Sequence, residues 1–358
     1  GFGSFDEISN NFPDNFLNVG VAEQNMIGVA SGMAIMGRIP FCYSIGNFAT
    51  LRCLEQIRND AAYHNLPITI VANGAGFSYG GLGVTHHATE DISIMNAIPE
   101  LNIFSPSTDL EVLQLVQLSA KNNLTNYLRL DKSFYTEKPK KKKIDITKGR
   151  WLENGDDIHI YCTGGIVEEA IDTRNKMKTL GLEIGIATFP VLNKLDFNFI
   201  DKNLIKCKKI ITLEENAYRG GLNSIIAQYI LSKSHTVELF KSFSLPKKFS
   251  EVIGDQKYLR SDLARNGVTT DVPMPADEDS ESYDEKRQCH ICMHMCYVSA
   301  LVCSCDSERV VCLRHWQHLC NCDPEEKCHL YWFSLHDIED LIIKVRIHKN
   351  KLERLKMS

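Results

Sequence analysis

The sequence lacks the features that would tie the whole chain to a membrane or to nucleic acid. No apolar run among its 358 residues approaches the roughly 18 residues of a spanning helix, so no membrane segment is expected. No secretory signal is recognisable, and a net charge of −5 gives no general case for binding nucleic acid or membranes. Residue 1 is a glycine in a turn-like segment, so we expect the start of the first domain to be missing.

Cysteine is scarce over most of the chain and concentrated in one segment. Only Cys42, Cys53, Cys162 and Cys207 precede this segment, and we interpret them as reduced thiols of the core. The other nine of the 13 cysteines lie within 289–328. Clustered cysteines without a secretory context favour metal ligation over disulfides, and hence a reducing compartment.

The cysteine-rich segment consists of four close pairs of metal-ligating residues. A C-x2-C or C-x-C pair supplies two ligands from one turn, and zinc takes a tetrahedral set of nitrogen and sulfur ligands. The gaps between pairs suit two interleaved sites, in which the first pair joins the third and the second joins the fourth. The predicted ligands are Cys289, Cys292, Cys312 and His315 for one zinc, and Cys303, Cys305, Cys320 and Cys322 for the other. Both sites are expected to stabilise the fold rather than to catalyse.

Periodicity in the first 258 residues predicts two α/β domains. A near-continuous apolar run at 68–72, flanked by Pro67 and Gly74, is typical of a parallel strand buried on both faces. A helix of small residues is expected over 23–36, and such alternation of strands with helices implies a doubly wound parallel sheet. Further strands are predicted at 16–19, 101–104 and 127–130, and in the second domain at 157–161, 183–187, 209–213 and 236–240. Thr108 and Glu111 have the spacing of a helix capping box.

Composition marks the boundaries between domains. The lysine run after residue 137 could serve as a nucleic-acid or nuclear-import patch, but between two α/β units we interpret it as a solvated linker. The acidic, proline-containing stretch after the second domain is predicted to be a disordered linker. The predicted order is a first domain at 1–137, a basic linker at 138–149, a second domain at 150–258, an acidic linker at 259–286, a two-zinc module at 287–333 and an amphipathic helix at 334–358.

Three features of the first domain indicate chemistry. Glu23 opens a predicted helix, where a carboxylate ordinarily serves as a capping group. A glycine-rich loop delivers His86 and His87 just after a buried strand, where α/β proteins place their sites. Arg129 ends a strand, where an arginine either holds a phosphate or pairs with an acid.

Three motifs in this region together resemble the C-terminal half of a transketolase, above all the split, two-subunit bacterial form. They are NVGVAEQNM at 18–26, FATLRCLEQIR at 48–58 and GVTHHATED at 83–91. The resemblance covers about 1–258 and implies a pyrimidine-binding domain followed by the transketolase C-terminal domain. It also implies transfer of a two-carbon ketol unit between sugars, with thiamine diphosphate as cofactor.

The resemblance assigns cofactor contacts to three residues. Glu23 matches the glutamate that hydrogen-bonds the aminopyrimidine ring and promotes its imino tautomer, which makes it a catalytic residue. Phe48 is the candidate for stacking on that ring, and Arg52 is placed in the cofactor site as well. Burial of Glu23 against an aromatic wall is expected to raise its pKa, so that the carboxyl can share a proton.

The resemblance assigns substrate contacts to three further residues. His86 matches the catalytic histidine that faces the donor sugar, and His87 lies beside it in the sequence. Arg129 matches an arginine that holds a sugar phosphate.

One motif that the family needs does not occur in this chain. The diphosphate and its Mg²⁺ are normally held by a Gly-Asp-Gly…Asn motif in the other half of the enzyme, and the sequence contains none. The resemblance therefore implies an N-terminal partner subunit, a dimer-type assembly and a cytoplasmic location. We expect no transketolase activity from this chain alone.

The cysteine-rich segment resembles the C5HC2 zinc finger that follows the JmjC catalytic domain in a subfamily of histone lysine demethylases. The matching stretches are RQCHIC at 287–292, VCLRH at 311–315, LCNC at 319–322 and YWFSLHDI at 331–338. The iron- and 2-oxoglutarate-binding HxD/E…H core is absent, so the resemblance implies an interaction or structural module and not a demethylase.

A transketolase half and a chromatin finger are not expected in one natural chain. The simplest account is a chimera joined between about 255 and 268. Three functions remain open: an enzyme half that needs a partner, a module that contacts chromatin proteins in the nucleus, and a fragment without an integrated function.

Overall fold

The computed structural model describes residues 5–133, 135–136, 144–246, 249–250, 254–257 and 259–260, and the backbone of three strands at 299–303, 306–312 and 327–331. These residues fall into two compact units, Gly1–Thr269 and Thr270–Ser358. No helix in the described part of the chain is long and apolar enough to cross a membrane.

The first domain of the first unit is built on a four-stranded parallel sheet with the order β1-β2-β4-β3. Its strands are β1 (Phe41–Ile45), β2 (Thr69–Asn73), β3 (Asn102–Phe104) and β4 (Asn126–Leu130). Its helices are α1 (Asp6–Asn11), α2 (Glu23–Ile35), α3 (Gly46–Ala49), α4 (Leu54–Gln56), α5 (Asp91–Met95) and α6 (Asp109–Ser119). The apolar run predicted as a buried strand forms β2, whose pairing with β1 on one side and β4 on the other explains why it needs little polar character.

The strand predicted at 16–19 is wrong. This segment has no regular structure, and the side chains of Phe16 and Leu17 are 37% and 61% exposed. Among the described residues no strand lies beside it to complete its backbone hydrogen bonds, so its apolar residues alone do not make it a strand. One edge strand of the sheet is β1, which no sequence pattern predicted.

The predicted Thr108 cap of α6 is confirmed, although the Glu111 carboxylate bonds the N–H of Ser107 and not that of Thr108, as a capping box would. The backbone N–H of Glu111 donates to Thr108 Oγ1 over 3.2 Å, and the Glu111 carboxylate accepts from the N–H of Ser107 over 2.7 Å. The same buried carboxylate accepts from Arg150 over 3.0 Å and from Thr188 Oγ1 over 2.6 Å. Because Arg150 and Thr188 belong to the second domain, the cap also ties the two domains together.

The second domain is built on a five-stranded sheet with the order β5-β7-β6-β8-β9, in which only β5 runs antiparallel to its neighbour. Its strands are β5 (Arg150–Glu153), β6 (Ile158–Thr163), β7 (Ile184–Thr188), β8 (Lys209–Ala217) and β9 (Leu239–Leu245). Its helices are α7 (Val167–Lys178), α8 (Phe197–Leu204) and α9 (Leu222–Ser232). The prediction of two doubly wound α/β domains is confirmed, with the additions that β5 was not foreseen and that β9 begins later than the predicted 236–240.

Two predicted linkers contain residues that belong to the core. Ile146 lies in the predicted basic linker, yet it is only 8% exposed and packs with Phe104, Leu115 and Leu128 of the first domain. Leu259 and Arg260 lie at the start of the predicted acidic linker and are 2% and 6% exposed. The sequence did not predict the burial of these residues, because charged and polar residues surround them.

The described part of the second unit is a three-stranded antiparallel sheet with the order β11-β10-β12. Its strands are β10 (Ser299–Cys303), β11 (Asp306–Cys312) and β12 (Lys327–Tyr331). Cys303 and Cys312 lie on these strands, whereas the other six predicted zinc ligands lie outside the described residues. The predicted C-terminal helix at 334–358 and the acidic linker from 261 onward lie outside them as well.

Candidate functional site

The candidate site lies at the carboxyl edge of the first sheet. The chain leaves β1 directly into α3, and it leaves β2 into a loop at 74–90 that carries both histidines and is called the histidine loop below. Parallel strands bring their carboxyl ends to one edge, so these segments become neighbours. Gly46 allows the close approach, because a Cβ at this position would lie 2.6 Å from Ala88 Cβ and 3.2 Å from Gly74 O.

Glu23 is a buried hydrogen-bond acceptor at the start of α2. It is the first residue of α2 and is 6% exposed, and the helix receives no side-chain cap at its preceding residue. One carboxylate oxygen accepts from Ser44 Oγ of β1 over 3.0 Å, and the other accepts from Arg52 Nη1 over 2.8 Å. Both oxygens of this side chain thus have partners outside its own helix, as expected for a residue whose motif rather than its capping position sets its role.

The pKa predicted for Glu23 is also wrong in direction. Burial raises the pKa of this carboxyl, but hydrogen bonds from Arg52, from its own backbone N–H and from Ser44 together outweigh burial and lower it. Because three donors converge on it, Glu23 is ionised at neutral pH and presents an anionic acceptor at the site.

Phe48 and His86 complete a continuous group with Glu23 and Arg52. The guanidinium carbon of Arg52 lies 4.3 Å from the centre of the Phe48 ring, a cation–π distance. The rings of Phe48 and His86 meet edge to face, 5.1 Å apart. Arg52 is 43% exposed at its side chain and His86 is half-buried, so the group opens to solvent on the side of these two residues.

The two histidines have different environments. His87 is 2% exposed, its Nε2 lies 3.3 Å from Gly80 O, and its ring contacts the edge of Phe77 at 5.0 Å. Burial lowers the pKa of His87, so it is neutral and donates from Nε2 to that carbonyl. The predicted contact of His87 with substrate does not fit this burial, whereas His86 remains accessible.

Arg129 does not lie open to a substrate. It is 2% exposed, and its Nε donates to Asp91 Oδ2 over 2.7 Å. Its Nη2 donates to Ala88 O over 3.0 Å and to Glu215 O over 2.9 Å. The predicted role in holding a sugar phosphate does not fit this geometry, because these donors are already used to join the histidine loop to β8 of the second domain.

A polar cluster that no sequence motif indicated lies at the same edge of the sheet. Asn73 Nδ2 donates to the hydroxyls of Tyr43 and Tyr79, each over 2.9 Å. Lys132 Nζ lies 3.8 Å above the Tyr79 ring and is exposed. Ser44 was missed as well. No spacing rule singles out these residues, since they come from separate segments that meet only in the fold.

Among the described residues no group of three or more His, Cys, Asp or Glu is arranged to hold a metal. The side chains of the predicted zinc ligands lie outside that search. A buried carboxylate, an aromatic ring and an accessible imidazole suit the pyrimidine end of a thiamine cofactor, in which a ring nitrogen needs an acceptor and a flat face needs a hydrophobic contact.

Comparison with known proteins agrees with this geometry. The fold and the site define a two-domain α/β protein whose site lies at the carboxyl edge of its first sheet. The family model for the transketolase pyrimidine binding domain matches residues 3–138, and that for the transketolase C-terminal domain matches 147–279. The chain belongs to the transketolase family and corresponds to its C-terminal half. The C5HC2 zinc finger model matches 289–341.

Three curated relatives show what the chain spans. It is 34% identical over 235 residues to a protein of Methanocaldococcus jannaschii described as a transketolase C-terminal section, covering 64% of this chain and 73% of that protein. It is 28% identical to one subunit of the apulose-4-phosphate transketolase of Actinobacillus succinogenes, covering 73% of this chain and 83% of that subunit. It is 32% identical to the 1-deoxy-D-xylulose-5-phosphate synthase of Halothermothrix orenii, covering 66% of this chain but 38% of that protein.

Two solved structures share the fold. A split-gene transketolase, described as an inactive β4 tetramer, superposes with a TM-score of 0.66 at 26% identity over 75% of this chain and 87% of its own. The transketolase of Campylobacter jejuni superposes with a TM-score of 0.52 at 15% identity over 69% of this chain and 37% of its own. The chain thus matches most of a split subunit and little more than a third of a single-chain enzyme.

Proposed function

We propose that the first unit is the C-terminal subunit of a two-subunit transketolase, which transfers a two-carbon ketol unit between sugars with thiamine diphosphate. One observation carries the proposal: the buried carboxylate of Glu23 lies in one group with Arg52, Phe48 and His86, at the sheet edge where such folds place their sites. Membership of the transketolase family implies the cofactor.

Glu23 orients and polarises the pyrimidine ring. When bound, thiamine diphosphate supplies the carbon nucleophile that attacks a ketose carbonyl. The pKa of Glu23 is lowered, so the carboxyl is ionised at neutral pH and would accept a hydrogen bond from a ring nitrogen of the bound cofactor. Arg52 donates a hydrogen bond to one of the Glu23 carboxylate oxygens over 2.8 Å. Because the Arg52 side chain is 43% exposed, it can move away from this oxygen when the pyrimidine ring binds.

Phe48 contacts the cofactor in this proposal, and His86 contacts the donor sugar. Phe48 offers its ring as the apolar contact for the pyrimidine. His86 meets the Phe48 ring edge to face and is bonded through Nδ1 to Thr85 Oγ1 at 3.0 Å. Its other nitrogen is therefore the one available to hold or release a proton at a hydroxyl of the donor sugar.

A partner subunit must complete the site. The sequence contains no diphosphate-binding motif, and large apolar side chains are exposed just before α2 and at its carboxyl end. Val21, Ile35 and Met36 are 90%, 70% and 83% exposed. Exposed large apolar side chains at both ends of one helix are a candidate contact surface, and the N-terminal subunit, which holds the diphosphate through Mg²⁺, is the proposed occupant.

Reconstitution tests the proposal. The purified chain is assayed for ketol transfer alone and together with the N-terminal subunit of a split transketolase, with Mg²⁺ and thiamine diphosphate. Turnover and thiamine retention that require both subunits would support the proposal. Turnover by the chain alone, or no thiamine retention by the pair, would refute it.

For the second unit we propose a structural module that binds two zinc ions. The match to the C5HC2 finger and the eight paired ligands support this proposal. Its union with a transketolase half in one chain is the chimera inferred from the sequence. Metal analysis of the intact chain decides the stoichiometry: about two zinc ions per chain are expected from the ligand count, and one or none would contradict it.

A further inference from the structure

A short segment after the second sheet packs on the start of the histidine loop. Within 254–260, all residues but 258 are described. A Cβ on Gly80 would lie 2.4 Å from Gly254 O and 2.5 Å from Leu259 Cδ1, so the backbones are in direct contact. Leu259 also shares a buried cluster with Phe77. The segment therefore forms part of the support beneath the loop.

Arg260 is buried between two carboxylates from different domains. Its Nε donates to Glu215 Oε2 of β8 over 2.6 Å, and its Nη2 donates to Asp131 Oδ2, just after β4, over 3.1 Å. Burial raises the pKa of Glu215 to about 7, against the lowering effect of Arg260. One guanidinium thus offsets two buried acids that would otherwise repel each other.

The remaining oxygens of both acids hold the first residues of the loop. Glu215 Oε1 accepts from the N–H of Phe77 over 2.6 Å. Asp131 Oδ1 accepts from Ser78 Oγ over 2.9 Å and from Gln256 Nε2 over 2.9 Å. Arg260 and the loop therefore bind opposite oxygens of the same two carboxylates, so the charge of Arg260 and its fork between both acids together govern how firmly these acids stay in place.

The far end of the loop is also held by β8. The N–H of Ala217 donates to Thr89 O over 2.6 Å. At the near end, the Phe77 ring contacts His87, whose Nε2 binds Gly80 O. Because both ends of the loop are held, the His86 ring is kept against Phe48.

We propose that Arg260 is a positioning residue that fixes the histidine loop, and with it His86, by balancing the carboxylates of Glu215 and Asp131. Only the stated purpose of the loop, which is to present His86 to a donor sugar, rests on the ketol-transfer function proposed above. Arg260 touches neither Glu23 nor His86 and acts through the loop. The second domain thereby contributes to the site of the first.

Amide hydrogen exchange on the full chain tests the proposal. In Arg260→Met we expect the amides of 76–89 to exchange about 10-fold faster or more, because the two acids lose their counter-charge and release Phe77 and Ser78. The amides of β1 and α2 should keep their protection. Arg174→Met is the matched control, since Arg174 is also largely buried and ion-paired, with Glu153 and Glu183, and has no contact with the loop. The proposal is overturned if Arg260→Met leaves exchange at 76–89 unchanged, or if it speeds exchange equally throughout the unit.

Arg260→Lys covers the case in which the methionine variant does not fold. Lysine keeps the charge but cannot fork between both acids, so faster exchange is expected at 76–89 with a thermal midpoint close to that of the wild type. Unchanged loop protection in this variant would equally overturn the proposal.

The reconstituted enzyme separates positioning from general stability. We expect Arg260→Met to lower kcat/KM for the donor sugar about 10-fold, as displacement of a catalytic group does, with thiamine retention unchanged because Glu23 and Phe48 lie outside the loop. Equal loss of thiamine retention would contradict a role limited to the loop. If the wild-type pair shows no turnover, the proposed function fails while the exchange result still decides the role of Arg260.

Discussion

Arg129 and Asp91 form a buried ion pair beneath the histidine loop, with 2.7 Å between Nε and Oδ2 and side-chain exposures of 1% and 0%. Tyr127 adds its hydroxyl to the same oxygen over 2.5 Å, while Asp91 Oδ1 has no hydrogen-bond partner among the described residues. Arg129, which was expected to hold a sugar phosphate, is thus a buried ion-pair partner of Asp91. Its loss would leave the Asp91 carboxylate buried without a counter-charge.

Replacement of Arg129 should destabilise the first unit. We expect Arg129→Met to lower the free energy of unfolding by about 3–5 kcal/mol, because breaking a buried pair strands its partner. Urea denaturation of the purified chain measures this. Arg58→Met is the matched control: Arg58 is exposed and bonds only its neighbour Asn59 in the described structure, so a change within about 0.5 kcal/mol is expected. Equal stability of the two variants would contradict the structural role.

Replacement of Glu23 should slow the chemistry strongly while preserving the fold. In the reconstituted pair, Glu23→Gln is expected to lower kcat by about 10²–10³-fold, the usual cost of removing one preorganised electrostatic partner of a reacting group. Steady-state ketol-transfer kinetics measure the effect. Glu55→Gln, an exposed change on α4 nearby, should leave kcat near the wild-type value. Retention of full activity by Glu23→Gln would remove the carboxylate from the mechanism.

Close packing at Gly46 should be sensitive to a single methyl group. Gly46→Ala places a Cβ 2.6 Å from Ala88 Cβ, and we expect a loss of about 1–3 kcal/mol from overpacking. Gly28→Ala within α2 is the control, because nothing lies within 4 Å of its added Cβ and alanine favours a helix by about 0.5–1 kcal/mol. Thermal unfolding of both variants should therefore shift in opposite directions, and parallel shifts would argue against the close contact.

Glu214 should make the second domain less stable as the pH rises. It is fully buried and accepts from the N–H groups of Leu222 and Asn223 over 2.7 and 2.9 Å at the start of α9. Burial nevertheless raises the pKa of Glu214 to about 7. A folded-state pKa above the unfolded one contributes stability that is complete below the unfolded pKa and is lost as pH rises through the folded pKa. The free energy of unfolding should therefore fall between about pH 5 and pH 8.

Glu214→Gln isolates this contribution, because it removes the titrating group from the same place. We expect its unfolding free energy to vary less over that pH range than the wild type. Glu238→Gln, at an exposed position of the same domain, should retain the wild-type pH dependence. An identical slope for Glu214→Gln and the wild type would show that another group is responsible.

The predictable part of the fold was the part encoded by local pattern. The apolar run of β2 and the Thr108 cap could be identified because each lies within a few consecutive residues. By contrast, β1 was missed, and the segment at 16–19 was predicted as a strand although it has none beside it in the described structure. Whether an apolar segment becomes a strand depends on a neighbour that can complete its hydrogen bonds, and the local sequence does not reveal that neighbour.

The sequence by itself determined the family and the chain positions of Glu23, Phe48 and His86, because their motifs are contiguous. Only the tertiary structure decided that His87 is buried while His86 is open, and that Glu23 is ionised rather than proton-sharing. Burial and pKa follow from charges and donors that distant segments bring together, as Arg260 does for the histidine loop. No pattern in a single segment contains that information.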